Sequence, residues 1–175
     1  VVVEGVGRSL DPELNMWVLA VPVVNDWMQS QFGPVAQFEA ARSRLSPTME
    51  VSVFLPLLTL SENITSASSK IGAYAYLWFS ENTKDLAARS FKTKVEERLT
   101  ALQNRLVFFD LWWQSVDENN ARRLMAGTGT LRYHLETIRR FKPHTLSEPE
   151  EKIINIKNVT GRSAVQSLYD VVTNS

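Results

Sequence analysis

The stretch KPHTLSEPEEK, residues 142–152, places His144 beside three glutamates and raises the question of a catalytic base or a metal ligand. Its local pattern fits the start of a helix better. Ser147 and Glu150 have the spacing of a capping box, in which each side chain serves the backbone N–H of the other residue. Pro149 suits a first helical turn, and the glutamates favour the positive end of a helix dipole. We therefore interpret His144 as part of a helix entrance.

A second histidine, His134, does not complete a metal site with the first. A zinc hydrolase site needs two histidines on one helical face and a carboxylate, typically in an H-E-x-x-H motif. His134 and His144 lie on either side of Pro143, and Glu136 stands on another side of its helix from His134. The chain also has no cysteine. We predict no catalytic, cofactor-binding or metal-binding residue, and we expect His134 to be a surface or interhelical hydrogen-bonding residue.

Other patterns that could bind ligands have structural explanations. The glycine pairs in EGVGR and AGTGT lack a following G-K-[ST] or a preceding strand, so we interpret both as turns. A set of aromatic side chains could form a ligand cage, but its helical spacing is more typical of a core. The set consists of Tyr74, Tyr76, Trp78, Phe79, Phe108, Phe109, Trp112 and Trp113.

Composition excludes several classes of protein. The 175 residues contain 19 Lys and Arg and 19 Asp and Glu, so no basic field for nucleic acid is expected. The longest apolar run, VSVFLPLL, is interrupted by Pro56 and is too short to span a membrane. The N-terminus has neither a signal-peptide pattern nor an initiator Met, so we expect the chain to begin inside a longer one. A cytoplasmic location is the simplest expectation.

The hydrophobic pattern predicts an all-α fold, an antiparallel helical hairpin or bundle with short flanking helices. Apolar or small residues recur at steps of four and three in two segments joined by the short link SENTK. The first stripe is Leu60, Ile64, Ala67, Ile71, Tyr74 and Trp78, and the second is Val95, Leu99, Leu102, Leu106, Phe109, Trp113 and Val116. Phe108 and Trp112 lie off the second stripe, which indicates that a further neighbour covers this helix.

Shorter helices are predicted on both sides of the hairpin. A first helix would begin at Asp11-Pro12, bend at Pro22 and stop at Gly33-Pro34, and a second would run from about Val35 to Arg44. The N-terminal VVVEGV has the composition of a short strand. Later helices would cover about Leu131 to Phe141 and begin again at Ser147. A break at NVTGR would precede a last amphipathic piece, SAVQSLYDVVTN.

Residues from about 57 to 175 resemble the N-terminal helical region of oligoendopeptidase F, a family of thimet-type zinc metallopeptidases. The resemblance rests on IGAYAYLWFSENTKDLAARSF, LVFFDLWW and, most specifically, PHTLSEPEEKI followed by TGRSAVQSLYD. It implies helices that pack over a catalytic half and help wall off a channel for short peptides. The family's zinc motif would lie downstream of this chain, so no catalytic or zinc residue and no cofactor carries over.

Residues 1 to about 45 resemble the C-terminal portion of the ubiquinone-biosynthesis atypical kinase-like family, through EGVGR followed by LDP and an asparagine. The ATP-binding lysine, glycine-rich loop and metal-binding acid of that family are missing here. The two resemblances together predict a kinase-family-like helical tail over residues 1–46 and a peptidase-like N-terminal helical domain over residues 47–175.

Three functions follow from these expectations. The first is a non-catalytic segment of an oligoendopeptidase F-like metallopeptidase, inactive alone, whose partner is the missing catalytic domain or a second copy bound through an apolar helical face. The second is a stand-alone helical interaction module. The third is a remnant of a quinone-biosynthesis kinase-like protein. A broad exposed apolar patch would favour the first over the second.

Overall fold

The computed structural model describes residues 15–30 and 32–173, and these contain helices and turns but no strand. The predicted all-α class is confirmed. The chain divides into two compact units, residues 1–33 and residues 34–175. The strand predicted for VVVEGV and the helix start predicted at Asp11-Pro12 lie outside the described residues.

In the first unit the described helix is α1, Met16–Ser30. Asn15 caps it, because its side-chain oxygen accepts hydrogen bonds from the backbone N–H groups of Trp17 and Val18 at 3.1 and 3.2 Å. Pro22 lies inside this helix, as predicted.

The helix stop predicted at Gly33-Pro34 is wrong. Helix α2, Phe32–Ala40, runs through both residues and is followed by a 3₁₀ turn at Arg42–Arg44. Pro34 is the third residue of α2, and the N–H groups of a first helical turn have no partner within the helix. A proline at this position therefore sacrifices no helical hydrogen bond.

Helices α3, Val51–Glu81, and α4, Leu86–Ser115, form the predicted antiparallel hairpin. Phe91 packs on Trp78 near the link, with ring centroids 5.1 Å apart, and Phe54 packs on Trp113 at the far end, at 5.4 Å. Asp85 caps α4 by accepting from the N–H of Ala87 at 2.8 Å. Most of the aromatic set is buried, as predicted, but Tyr74 and Trp112 are half-buried and Tyr76 is exposed.

Helix α3 starts earlier than the periodic pattern indicated, because Pro56 does not interrupt it. The ring falls on the exposed side of the helix, while Phe54 and Leu58 on either side of it are almost completely buried. Burial of this N-terminal extension offsets the hydrogen bond that a proline removes.

A helix that the periodicity missed, α5, spans Glu118–Met125. Asp117 caps it by accepting from the N–H groups of Asn119 and Asn120, both at 3.1 Å. Its buried residues, Ala121, Leu124 and Met125, occupy too few positions for a sustained stripe. The AGTGT turn follows, where Gly129 adopts φ +53°, a conformation that favours glycine.

The C-terminal third consists of α6, Arg132–Arg140, a 3₁₀ turn at Lys142–His144, α7, Glu148–Asn158, and α8, Ala164–Thr173. The break predicted at NVTGR is instead a π-helical turn, Val159–Ser163, so α7 continues into α8 without a loop. A π turn accommodates one extra residue and keeps the backbone helical.

The second unit has one core, to which α2 contributes Val35 and Phe38. Phe38 lies 5.5 Å from the ring of Phe108, so α2 supplies the additional neighbour that the flank of α4 predicted. Residues 34–46 therefore pack within the second unit. The predicted division into residues 1–46 and 47–175, which follows the two resemblances, stays a prediction.

Truncation of Phe109 tests the hairpin core. Phe109 is 2% exposed and contacts Phe38 and Phe54, so Phe109→Ala should lower the free energy of unfolding by about 3–5 kcal/mol. Urea denaturation measures the change. Tyr76→Ala, at a side chain on α3 that is 51% exposed, should change it by less than about 0.5 kcal/mol. Equal effects of the two variants would contradict the assigned core.

The start of α7 gives a second test. Ser147→Ala removes the cap and should destabilise the protein by about 1 kcal/mol. Thermal unfolding of the variant beside Ser80→Ala, an exposed serine within α3, separates the cap from a general serine effect. An unchanged melting temperature for Ser147→Ala would show that the capping box contributes nothing.

Candidate functional site

The glutamates beside His144 form hydrogen bonds and ion pairs at the start of α7. Glu150 accepts hydrogen bonds from the N–H and the hydroxyl of Ser147 at 3.0 and 2.5 Å, and Glu151 accepts from the N–H of Leu146 at 2.9 Å. The Ser147 oxygen also faces the N–H of Glu150, so the predicted capping box is confirmed. These contacts lower the pKa of Glu150, chiefly through the Ser147 hydroxyl.

The third glutamate of the stretch, Glu148, forms ion pairs with two cations. Its carboxylate accepts from Arg42 at 2.6 Å and from Lys152 at 2.7 Å. The hydrogen bonds from Lys152 and then from Arg42 lower the pKa of Glu148. His144 itself lies in an exposed 3₁₀ turn. The stretch therefore holds α7 in place, in agreement with its interpretation as a helix entrance.

His134 lies on the exposed side of α6, at a cleft of about 270 Å³ beside α4. Two carboxylates, Asp110 and Glu151, also line the cleft. Glu136 instead pairs with Arg132 at 2.9 Å, one turn away along α6. The remaining lining residues are Val107, Leu111, Gln114, Thr137, Ile138, Phe141 and Thr145.

Asp110 is the titratable group that this cleft perturbs most. Loss of water around the carboxyl group raises the pKa of Asp110 to about 6, and the positive charge of His134 opposes the rise. The cleft therefore favours the protonated form of the Asp110 carboxyl group relative to a carboxyl group in water.

Other polar groups of the cleft form hydrogen bonds within the fold. The Gln114 amide donates to the carbonyl of Ile138 and to the hydroxyl of Thr145, both at 3.1 Å. Within residues 15–30 and 32–173, no group of three histidine, aspartate or glutamate side chains is placed to hold a metal ion. The cleft thus places Asp110 and His134 at one site, beside an amide that is already hydrogen-bonded within the fold.

A larger groove of about 420 Å³ runs between α4 and the π turn with α8. At its base the Lys92 ammonium donates to the Ser167 hydroxyl at 2.9 Å and to the Glu96 carboxylate at 2.7 Å. Lys92 is 8% exposed and lies 5.3 Å from the centroid of the Phe79 ring. A buried lysine beside a serine hydroxyl has the composition of a serine–lysine catalytic dyad.

The direction of the hydrogen bonds argues against that chemistry. Lys92 donates to the Ser167 oxygen, and Ser167 donates its own proton to the carbonyl of Ser163 at 2.9 Å. The Lys92 ammonium also donates to the Glu96 carboxylate at 2.7 Å and lies over the Phe79 ring, contacts that are typical of a structural cation. The pair therefore ties α8 to α4.

The sequence did not predict the hydrogen bond between Lys92 and Ser167, because the two residues are 75 positions apart. A local signal exists, since Lys92 stands between the buried residues Phe91 and Val95 of α4. A charged residue on a buried stripe needs a partner for its charge.

The C-terminal helices of the second unit expose apolar side chains. Val165, Leu168, Tyr169 and Val172 occupy one face of α8 at helical spacing, and each is at least 62% exposed. No residue of α8 is buried. Helix α7 adds Ile153, Ile154 and Ile156, all exposed. We call these seven residues the C-terminal apolar surface. None of the described helices has the length and apolarity needed to cross a membrane.

Loss of the Lys92–Ser167 hydrogen bond should loosen α8. In Ser167→Ala, amide hydrogen exchange should become faster across residues 164–173, because few other contacts hold this helix, while exchange in α4 stays slow. Gln166→Ala, an exposed neighbour, is the matched control. Equal protection of α8 in both variants would mean that the hydrogen bond does not secure it.

Comparisons with known proteins support both resemblances. A sequence model of the family described as "Oligopeptidase F" matches residues 112–175, which extend from the end of α4 to the C-terminus. This match is specific to the peptidase N-terminal region and leaves residues 57–111 of the predicted resemblance outside it.

Curated relatives match a short part of the chain. A protein named "Probable protein kinase UbiB" from Photobacterium profundum is 50% identical over 42 residues, 24% of this chain and 8% of the relative. Its namesake from Marinobacter nauticus is 38% identical over 56 residues, 32% of this chain and 10% of the relative. The chain thus spans about a tenth of the length of these relatives. No solved structure matches.

The range that the peptidase model matches contains the whole C-terminal apolar surface. It also contains the residues that form the helix entrance, except Arg42. Residues 112–175 accordingly resemble the N-terminal domain of oligopeptidase F, and a short segment of the chain resembles the UbiB kinase-like proteins.

Proposed function

We propose that this chain is a non-catalytic helical segment of an oligopeptidase F-like zinc metallopeptidase and that it packs against the catalytic part of that enzyme. The observation that supports the proposal is the apolar face of α8, formed by Val165, Leu168, Tyr169 and Val172, which lies inside the matched range and whose side chains are each at least 62% exposed. A contiguous apolar patch of this kind is typical of a surface that another protein component covers.

The length of α8 adds to this argument. An isolated helix of ten residues is marginal in water, and helices in proteins are stabilised mainly by burial of an apolar face. Leu168 borders the groove that contains Ser167, whereas Val165, Tyr169 and Val172 are not among its lining residues. The apolar face of α8 therefore begins at the groove and continues along the side of the helix away from it. A catalytic part bound on that side would complete the burial of α8.

The same proposal assigns the chemistry to another region. Zinc and the residues that hold it would belong to the catalytic part, and this chain would contribute no metal ligand and no cofactor. Its role would be to shape the access of short peptides to that part. We propose a cytoplasmic location, in keeping with the absence of cysteine.

Binding to a catalytic part tests the proposal directly. The purified chain should bind the catalytic portion of an oligopeptidase F that lacks its own N-terminal region, as measured by calorimetry. The double variant Leu168→Asp, Val172→Asp should bind at least about tenfold more weakly, because charges would be buried in the contact. Leu77→Asp, at an exposed apolar residue of α3, is the matched control and should bind like the parent.

The alternative, a stand-alone interaction module, gives a different result in the same experiment. If the chain forms a stable dimer that Leu168→Asp, Val172→Asp dissociates, and does not bind the catalytic portion, the interaction module is correct. Zinc content and cleavage of a quenched-fluorescent peptide by the chain alone complete the test. Stoichiometric zinc with chelator-sensitive cleavage would overturn a non-catalytic role.

A further inference from the structure

Helix α2 and the turn after it carry four anchor residues at helical spacing: Val35, Phe38, Glu39 and Arg42. Val35 and Phe38 are 0% and 2% exposed, whereas Gln37 between them is exposed. Anchors at i, i+3, i+4 and i+7 are the pattern by which an amphipathic helix is bound in a groove. The peptidase model does not cover this segment.

The apolar part of the groove is aromatic. Phe38 inserts between Phe108 and Phe109 of α4, with ring centroids 5.5 and 5.3 Å from its own. Phe54 of α3 stacks behind Phe109 at 6.3 Å. Removal of α2 would expose these aromatic side chains, which now pack against one bulky apolar side chain, that of Phe38.

Charged residues form the rim of the groove and fix the direction of the helix. Arg105 of α4 donates two hydrogen bonds to the Glu39 carboxylate, at 2.9 and 2.6 Å. Arg42 donates two to the Glu148 carboxylate of α7, at 3.1 and 2.6 Å, and its guanidinium lies 5.1 Å from the Phe108 ring centroid.

Glu39 faces a cation and Arg42 faces an anion. A helix bound in the reverse direction would exchange these two positions, so that each residue would face a group of its own charge. The Arg105 hydrogen bond also lowers the pKa of Glu39, with desolvation opposing it and Lys152 adding a smaller favourable effect. The groove thus recognises an apolar residue, an aromatic residue, a carboxylate and a guanidinium in a fixed order.

We propose that α4 and α7 form a helix-binding groove of which α2 is the intramolecular ligand, and that the groove accepts the same helix from a second copy of the chain. Recognition resides in side-chain contacts that do not depend on which chain supplies the helix. The connection to α3, residues 45–50, is short and irregular, as in proteins that exchange a terminal element between copies.

One contact holds the connection closed. Arg123 of α5 donates hydrogen bonds to the carbonyl groups of Pro47 and Met49, both at 2.9 Å. These bonds fix the path of the chain from α2 into α3. Arg123→Ala should therefore speed the exchange of α2 without touching the groove that binds it.

A labelled peptide tests recognition in the full chain. Phe38→Ala weakens the chain's own helix, so a fluorescent peptide of residues 32–46 should bind this variant saturably, as measured by anisotropy. The peptide with Glu39→Arg should bind at least tenfold more weakly, and the chain with both Phe38→Ala and Arg105→Glu should restore its binding. A peptide with Gln37→Arg, at the exposed position, is the matched control and should bind like the original.

A second measurement covers the case in which Phe38→Ala fails to fold. Copies of the parent chain labelled with two dyes on α2 and α4 should develop energy transfer between chains after mixing, and Arg123→Ala should accelerate it severalfold. Absence of both saturable peptide binding and exchange between copies would overturn the proposal and make α2 a permanent core element. Binding of the Glu39→Arg and Gln37→Arg peptides with equal affinity would overturn it as well.

Discussion

The burial of Trp113 is the interaction on which the second unit depends. Its ring packs on Phe54 of α3 at 5.4 Å, and its indole N–H donates to the carbonyl of Leu135 in α6 at 2.9 Å. The Arg139 side chain returns from α6 to donate to the carbonyl of Trp113 at 3.0 Å. One fully buried residue thus joins three helices through both its side chain and its backbone. A buried aromatic with a satisfied polar atom specifies an arrangement more narrowly than an aliphatic core residue does.

Several charged side chains of the second unit serve as contacts between its helices. These side chains pair with one another or bind the end of a helix. Arg139 donates a hydrogen bond to a carbonyl group at the end of α4. Glu148 connects α7 with the turn after α2, and Lys92 connects α4 with α8. Polar groups used in this way are held in the geometry of the fold. Asp110 differs, because loss of water around its carboxyl group raises its pKa in the cleft that it lines with His134.

Sequence patterns predicted the features that repeat or that act locally. The hairpin followed from seven-residue periodicity over some sixty residues, and the α7 cap followed from the spacing of Ser147 and Glu150. Periodicity could not find α5, because a helix of eight residues gives barely two turns of pattern. It also placed a stop at Gly33-Pro34, where the first-turn position of the proline makes a helix possible. Composition alone does not distinguish these two contexts of the same dipeptide.

Contacts between distant segments were beyond sequence reasoning for a different reason. The partners of Glu39, Lys92 and Glu148 lie on helices whose relative rotation depends on the packing of the whole core. A charged residue on a buried stripe indicates that some partner exists, but it does not identify the helix that supplies it. The covered flank of α4 was predictable in the same limited sense, since Phe108 required a neighbour and α2 was one of several that could provide it.

The π turn at Val159–Ser163 sets the angle at which the molecule presents its last helix. Each residue of an α-helix advances the side-chain direction by about 100°. A turn that holds one additional residue therefore rotates everything after it by more than a quarter of a revolution about the common axis. The single inserted residue therefore determines the direction in which the apolar face of α8 points. Gly161, at the centre of the π turn, has open space around it, so no packing there would resist removal of one residue. A homologous chain that lacked one residue here would keep both helices, but Leu168 and Val172 would point in a different direction. The direction in which this surface faces thus depends on chain length as well as on side-chain positions.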